Sequence, residues 1–521
     1  MVAAGILLSR IVGLIRNRVF AHYFGTSDAA DAFNAAFRIP NFLQNLFGEG
    51  VLSASFIPVY AGLRARGDEV EARRVASAVA ALLGLATAVL VLVGILLTPW
   101  LIAAVAPGFT GEKREVTIRL VRILFPGAGL LVLSAWCLGV LNSHRRFFLS
   151  YSAPVLWNLA IIASLIAFGG GTPAYRLAEI AAWGSVLGSL LQLGVQLPTV
   201  GRLLDGIRPR LARGSAAVAE VLHNFGPVFV GRGVVQISAY VDTVLASLLP
   251  TGAVAGLSYA QVIYTLPVSL FGMSVSAAEL PAMASAVGSE SERASYLRGR
   301  LDAGLRQIAF FVVPSAVAFL ALGDVVAGAL YQSGAFTRAM TVYVWAILAG
   351  SAVGLLASTM GRLYASTYYA LHDTRTPLRY AVLRVALTVG LGYLFALPLP
   401  RALGIEARWG AAGLTASAGI AGWIEFLLLR RALNARIGRT GLPMAHAAKL
   451  WAAATAGAAG AWALRTVVPV PGHPVVAAVA VLGLFGVLYL ALTAAMGVAE
   501  SGRLLSRVGL ARRRRAPGGG R

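Results

Sequence analysis

Long apolar stretches follow one another along this chain with little hydrophilic sequence between them, which leaves almost no soluble fold open to it. About 20 apolar residues cross a bilayer as one helix. Fourteen stretches of that kind can be placed, at residues 3–24, 31–62, 76–106, 116–143, 151–169, 177–199, 221–249, 253–285, 303–330, 339–366, 378–397, 409–430, 445–466 and 474–498. Each must be helical, because a spanning segment has to satisfy its own backbone polar groups. The composition agrees, with 58% hydrophobic residues, 12% charged residues and a mean hydropathy of +0.76. The expected fold is therefore an all-α integral membrane protein of about fourteen transmembrane helices. The single cysteine, Cys137, excludes an intrachain disulfide framework and a cysteine metal cluster. No cleavable leader is expected, since the first apolar stretch runs on into charged helices without a small-residue cleavage site.

The net charge of +23 does not point to nucleic acid, because the basic residues lie mostly in short loops and in the tail. Alternate loops differ sharply in their basic residues. Those beginning with Arg64–Arg74, together with the tail, hold 26 arginines, against 8 basic residues in the intervening loops. Positive charge accumulates on the cytoplasmic side, so both termini are expected there and the number of spans is even. The RRRR run at 512–515 reads as a cytoplasmic anchor attracted to anionic lipid.

A faint internal repeat runs through the chain. Arg10 recurs as Arg232, Phe47-Gly48 as Phe271-Gly272, Pro58 as Pro281, Phe109-Thr110 as Phe336-Thr337 and His144 as His372, at offsets of 222 to 228 residues. The expected organisation is a six-helix half at 1–215, a second at 216–435, two further helices at 436–498 and a basic tail at 499–521. With an even number of spans per half, both lie the same way up, and a central cavity is expected between them.

The densest set of intramembrane charges lies in residues 9–58, which carry Arg10, Arg16, Arg18, Asp31, Arg38 and Glu49. A charge at the bilayer centre costs about 2.5–3.5 kcal/mol on insertion scales, so such groups usually face protein or a wet cavity. Arg10 and Arg16 are separated by about 9 Å along a helix axis, a spacing that suits two ends of one polar headgroup. The residues alone leave alternatives open: Arg16 and Arg18 snorkelling to the interface, and Asp31 and Glu49 serving as structural ion pairs or helix N-terminal charges. Pro40 predicts an interruption of the second span.

In the same region the order SR-x-x-G-x-x-R, FG, DAF, F-R-I-P-N, F-x-EG and S-x-x-F-x-P, followed by LNSHRRFFLSYSAPVLWN at 141–158, resembles the MurJ (MviN) family of lipid II flippases. That family belongs to the MATE/polysaccharide-exporter superfamily, and the hydrophobic layout is similar to about residue 498. The resemblance implies a flippase that carries lipid-linked peptidoglycan precursor (lipid II) from the inner to the outer leaflet of the bacterial cytoplasmic membrane by alternating access. It implies substrate-binding roles for Arg10, Arg16, Asp31 and Glu49; Arg232, from the second half, is a further candidate on the residues alone. Arginine suits such a site because it binds phosphate and carboxylate bidentately and stays charged. The chain departs from the family at Gln44 and Asn45, and at Gln261, Val262 and Thr265, where basic or charged residues are common. Arg232, Asp242 and Glu279 are candidates to replace that charge.

The alternative reading is a related exporter of another polyprenyl-linked saccharide or a small molecule. A cationic-drug exporter calls for an acidic cavity, and these charges are net basic. A membrane enzyme calls for reactive groups in a substantial outer loop, and the loops at 107–115 and 397–408 are short. No metal-ligand spacing and no phosphate-binding glycine loop occurs in a strand–helix context, so no cofactor is expected. The expected partners are lipid II and membrane lipids, and the expected assembly is a monomer.

Overall fold

The structure, a computed structural model, describes residues 2–206, 215–467 and 473–507, and for residues 2–4, 49, 50, 226–239, 505 and 507 the backbone alone. Among the described residues every regular element is helical and no strand occurs. Close contact divides the chain into two units, residues 1–255 with 333–337 and residues 256–332 with 338–521.

The first unit holds α1 (Val2–Phe24), α2 (Asp28–Phe47), α3 (Glu49–Ala65), α4 (Glu69–Val105), α5 (Gly111–Ser143), α6 (Phe147–Phe168), α7 (Ala174–Leu203) and α8 (Ala216–Ser247). The second runs from α9 (Ala253–Pro267), which begins just before the division, through a π-helical turn at Val268–Met273 into α10 (Ser274–Ala284). It continues with α11 (Glu290–Ala321), α12 (Gly323–Tyr331), α13 (Arg338–Ala370), α14 (Arg375–Ala396) and the short α15 (Pro398–Ala402). It ends with α16 (Gly410–Ile437), α17 (Met444–Val467), α18 (Pro474–Ala495) and α19 (Ala499–Arg507).

Each of the fourteen predicted spans coincides with one helix or with a broken pair. The pairs are α2 with α3, α9 with α10, and α11 with α12. Eleven helical stretches among the described residues are long and apolar enough to cross a membrane. Helix α1 stands outside that set because Arg10, Arg16 and Arg18 dilute its apolar run.

The predicted interruption at Pro40 lies elsewhere. Helix α2 continues through Pro40, and the break falls at Gly48, between α2 and α3. Proline removes one backbone donor, and neighbouring helices in a bundle can absorb that loss. Gly48 and Gly50 flank Glu49, and glycine is among the poorest helix formers.

Inside lipid, helices associate through close packing rather than through the hydrophobic effect. In the first unit Phe56, Tyr60, Val79, Trp136 and Val140 build one buried cluster from α3, α4 and α5. Trp136 donates its indole N–H to the Ala76 carbonyl at 3.2 Å. Helix α7 closes on α6 at Gly188, where a Cβ would come within 2.7 Å of the Trp157 carbonyl. In the second unit α13 and α16 meet at Gly354 and Gly419, and a Cβ on Gly419 would lie 2.7 Å from the Gly354 nitrogen. Helix α8 opens the second sequence repeat, yet it packs on α2, α3 and α4 of the first unit.

Candidate functional site

The first-unit charges form three separate groups. On α1, Arg10 is exposed, while Arg16 and Arg18 are half-buried. The Arg16 guanidinium donates to Asn17 Oδ1 from Nη2 at 2.9 Å and lies 4.9 Å from the centre of the Trp157 ring on α6. Trp157 is itself fixed, donating from Nε1 to Ser185 Oγ at 3.1 Å and packing against the Phe37 ring at 5.8 Å. A cation over an indole is worth about 0.5–2 kcal/mol, depending on desolvation. Arg16 is therefore held in one orientation by a side chain that is held in turn. Between Arg10 and Arg16 lies Gly13, and beside it is the buried Asn158 of α6, whose Nδ2 donates to the Pro154 carbonyl at 3.0 Å.

Asp31 is at the far end of this region from Arg10, and both of its carboxylate oxygens accept hydrogen bonds within the unit. Its Oδ2 accepts from Lys113 Nζ at 2.7 Å and from the Gly252 amide at 2.8 Å, and its Oδ1 accepts from the Ala255 amide at 2.8 Å. Lys113 also pairs with Asp28 at 2.8 Å and lies 4.3 Å from the Phe109 ring centre. The Asp31 side chain is 2% exposed, so an uncompensated charge there would be costly and the lysine is its counterion. Next to this cluster is a cavity of about 550 Å3, lined by Asp28, Glu112, Arg119, Tyr175, Arg176 and Glu179 among others. Its arginines are tied to Glu179, at 3.0 Å from Arg119 and 2.8 Å from Arg176.

The third group joins α2 and α8. Tyr240 donates its hydroxyl to the Arg38 carbonyl at 2.8 Å, and Asp242 lies close enough to act electrostatically on the Arg38 guanidinium. The Arg38–Asp242 relation was not foreseen from sequence, because its members are about 200 residues apart. The side chains of Glu49 and Arg232 lie outside the described residues.

In the second unit, Gln261 and Thr265, which stand where charges are common in the resembling family, bond to one another at 3.2 Å on α9. Glu279 pairs with Arg300 at 2.7 Å. Sequence reasoning missed Arg384 of α14 and Glu425 of α16, an ion pair at 3.1 Å between two membrane-length helices. The signal was present: each is a lone charge well inside an apolar stretch.

Comparison with known proteins follows the same line. The family described as lipid II flippase MurJ matches residues 20–492. The lipid II flippase MurJ of Burkholderia cenocepacia is 33% identical over 439 residues, covering 82% of each chain. A probable lipid II flippase MurJ of Rhizobium meliloti is 32% identical over 82% of this chain and 78% of its own. Among solved structures, a lipid II flippase MurJ in an inward closed conformation matches with a TM-score of 0.76 at 24% identity, over 95% of this chain and 98% of that one. An inward-facing multidrug MATE transporter of the MOP superfamily matches with a TM-score of 0.64 at 18% identity, over 82% and 95%.

Proposed function

The chain belongs to the lipid II flippase MurJ family, and from that premise we propose a working mechanism in which lipid II is moved by alternating access with its headgroup held on α1. The protein is a multi-span transporter of the cytoplasmic membrane, not an enzyme, and it serves peptidoglycan synthesis by carrying lipid II from the inner to the outer leaflet. The observation that carries this function is the family match across residues 20–492.

We assign the diphosphate and peptide carboxylates of the headgroup to Arg10 and Arg16. What supports the assignment is their shared helix, their spacing, and the fixing of Arg16 by Trp157 and Asn17. A guanidinium already oriented loses less freedom on binding, which is how preorganisation raises affinity. Asp31 supports the site from a distance by holding the turn at Gly252–Ala255, and Glu49 and Arg232 remain candidates on the strength of sequence alone. The protein acts as a monomer with both termini in the cytoplasm and uses no cofactor. The lipid tail stays in the bilayer.

The test is replacement of the native copy in a depletion strain, with the leaflet distribution of lipid II as the readout. Arg16→Ala should fail to support growth while accumulating normally in the membrane, with lipid II retained on the inner face. Arg16→Lys should be partly defective, because an ammonium lacks the planar fork. Normal outward delivery of lipid II by Arg16→Ala would remove Arg16 from the site. Normal delivery after full depletion, with no second transporter present, would overturn the function itself.

A further inference from the structure

At the opposite end of the first unit from Asp31, the turn between α5 and α6 opens onto a second cavity of about 460 Å3. It is lined by Arg145, Arg146 and Arg202, by Thr199, and by Phe147 to Leu149 of the first turn of α6. All three arginines are exposed, and among the described residues none pairs with a carboxylate. The nearby acids are engaged elsewhere: Asp205 pairs with Arg73, and Glu69 with Arg64 at 3.5 Å. Among the described residues Arg202 makes one hydrogen bond, from Nε to the Pro198 carbonyl at 3.3 Å. Helix α6 has 22 residues, and the side chain of its N-cap residue, Arg146, makes no capping hydrogen bond. Its amide donors and positive dipole end therefore add to the three guanidinium groups.

The cavity is built at the ends of α5, α6 and α7, all three of membrane length, so it lies at a membrane surface. Phe148 lies beside it and is 54% exposed. An aromatic side chain beside arginines at that level fits acyl chain and headgroup together. His144 adjoins the turn, but burial first, and Arg64 second, hold its imidazole below its ordinary pKa. The charge of the cavity is thus carried by arginine.

A second observation points to an anion. The equivalent turn of the second unit, between α13 and α14, carries its own carboxylate, Asp373, which accepts from the amides of Arg375 and Thr376 at 3.1 and 3.0 Å and pairs with Arg436 at 2.7 Å. In the first unit the same place is occupied by guanidinium groups, and among the described residues no carboxylate lines it.

We propose that the Arg145–Arg146–Arg202 cavity is a binding site for lipid-borne phosphate, distinct from the Arg10–Arg16 region, that takes the phosphodiester or diphosphate head of a lipid in the adjoining leaflet. Arginine pairs with phosphate bidentately, and three of them around a helix N-terminus match a group carrying one or two negative charges. The site does not depend on the transport reading, because binding is measured without turnover.

The experiment uses the full-length protein in neutral detergent, with thermal stabilisation followed as lipid is added. The probes are phosphatidylglycerol, undecaprenyl diphosphate and, as a control, phosphatidylcholine. The wild type should be stabilised by the first two at concentrations about tenfold lower than are needed for a variant carrying Arg145→Gln, Arg146→Gln and Arg202→Gln. Arg202→Gln alone should show a smaller shift in the same direction, which guards against misfolding of the triple variant. A preference of about tenfold for undecaprenyl diphosphate over phosphatidylglycerol assigns the site to a prenyl diphosphate, the group that lipid II also carries, and equal response assigns it to bulk anionic lipid. Superposed curves for wild type and both variants, or an equal response to phosphatidylcholine, would overturn the proposal.

Discussion

The α5–α6 turn of the first unit and the α13–α14 turn of the second have the same backbone and opposite chemistry. In the first, Arg145 N–H donates to the Asn142 carbonyl at 3.0 Å and Arg146 N–H to the Leu141 carbonyl at 2.9 Å. In the second, His372 N–H donates to the Tyr369 carbonyl at 3.0 Å and Asp373 N–H to the Tyr368 carbonyl at 2.9 Å. The left-handed residues have φ of 58° at Arg145 and 59° at His372. A side chain other than glycine costs about 1–2 kcal/mol in that region, and both units accept that strain. Hydrogen bonding therefore sets Arg146 opposite Asp373, one residue off the register that the His144 and His372 identity suggests.

The difference lies in what neutralises the following helix. Asp373 does it from within: its carboxylate takes the Arg375 and Thr376 amides, the Thr376 hydroxyl at 2.7 Å, and the Arg436 guanidinium, which also lies over the Tyr368 ring. The α5–α6 turn brings more positive charge to an end that is already positive. One turn is closed by its own carboxylate, and in the other no carboxylate among the described residues does so. A duplicated backbone thus fixes the shape of a turn while leaving its charge free to diverge.

Closed charges should be costly to break and open ones cheap, and the largest test is at Asp31. Asp31→Ala leaves two amides without their acceptor and leaves Lys113 with Asp28 alone. Breaking a buried pair typically costs about 3–5 kcal/mol, and because Asp28 remains, the lower end is expected. Arg145→Gln, at an open site, should stay within about 0.5 kcal/mol of wild type. Thermal melting of both purified variants in detergent measures the contrast. Equal melting of the two would erase the distinction between closed and open charge.

A smaller effect is expected at Asp373, and it has a pH signature. Hydrogen bonds from the Thr376 amide and hydroxyl, with Arg436 beside them, hold its carboxyl down at about 2 against an ordinary 3.8. Since the folded value is the lower one, the stabilisation is complete above about pH 4 and is lost as pH falls through 3.8 towards 2. Asp373→Asn should melt below wild type at neutral pH, and the two melting curves should converge near pH 2. Loss of a helix N-terminal acceptor sets the scale at about 0.5–2 kcal/mol. A constant difference across that window would mean that the carboxylate does not close the turn.

How much of this was legible in the sequence depends on how local each feature is. The fourteen spans were, because apolar length is counted along the chain, and each coincides with helix in the structure. The break in the second span was misplaced, since Pro40 and the Gly48–Gly50 segment compete and only packing decides which gives way. The partners of Asp31 lie 82, 221 and 224 residues away, and no spacing rule joins them. Arg16 was picked out, but Trp157, which orients it, was only part of a motif. Arg384 and Glu425 could each have been found as intramembrane charges, but their pairing could not.

The smallest and most selective change is Arg146→Asp, which gives the first turn the charge of the second. Residue 146 is the N-cap of α6, and aspartate is a preferred residue there because it accepts from the first-turn amides. It also places a negative charge against the positive end of the helix, worth about 0.3–1 kcal/mol at an exposed site. Arg145 and Arg202, which line the same cavity, would then have a carboxylate from their own chain. The variant should therefore melt slightly above wild type in lipid-free detergent and lose its response to phosphatidylglycerol and undecaprenyl diphosphate. A solvated turn with no ligand would show the same small gain in stability, so the lipid response is the discriminating measurement. If Arg146→Asp is stabilised by phosphate lipids as strongly as wild type, the two turns differ in sequence only, and the open one binds nothing.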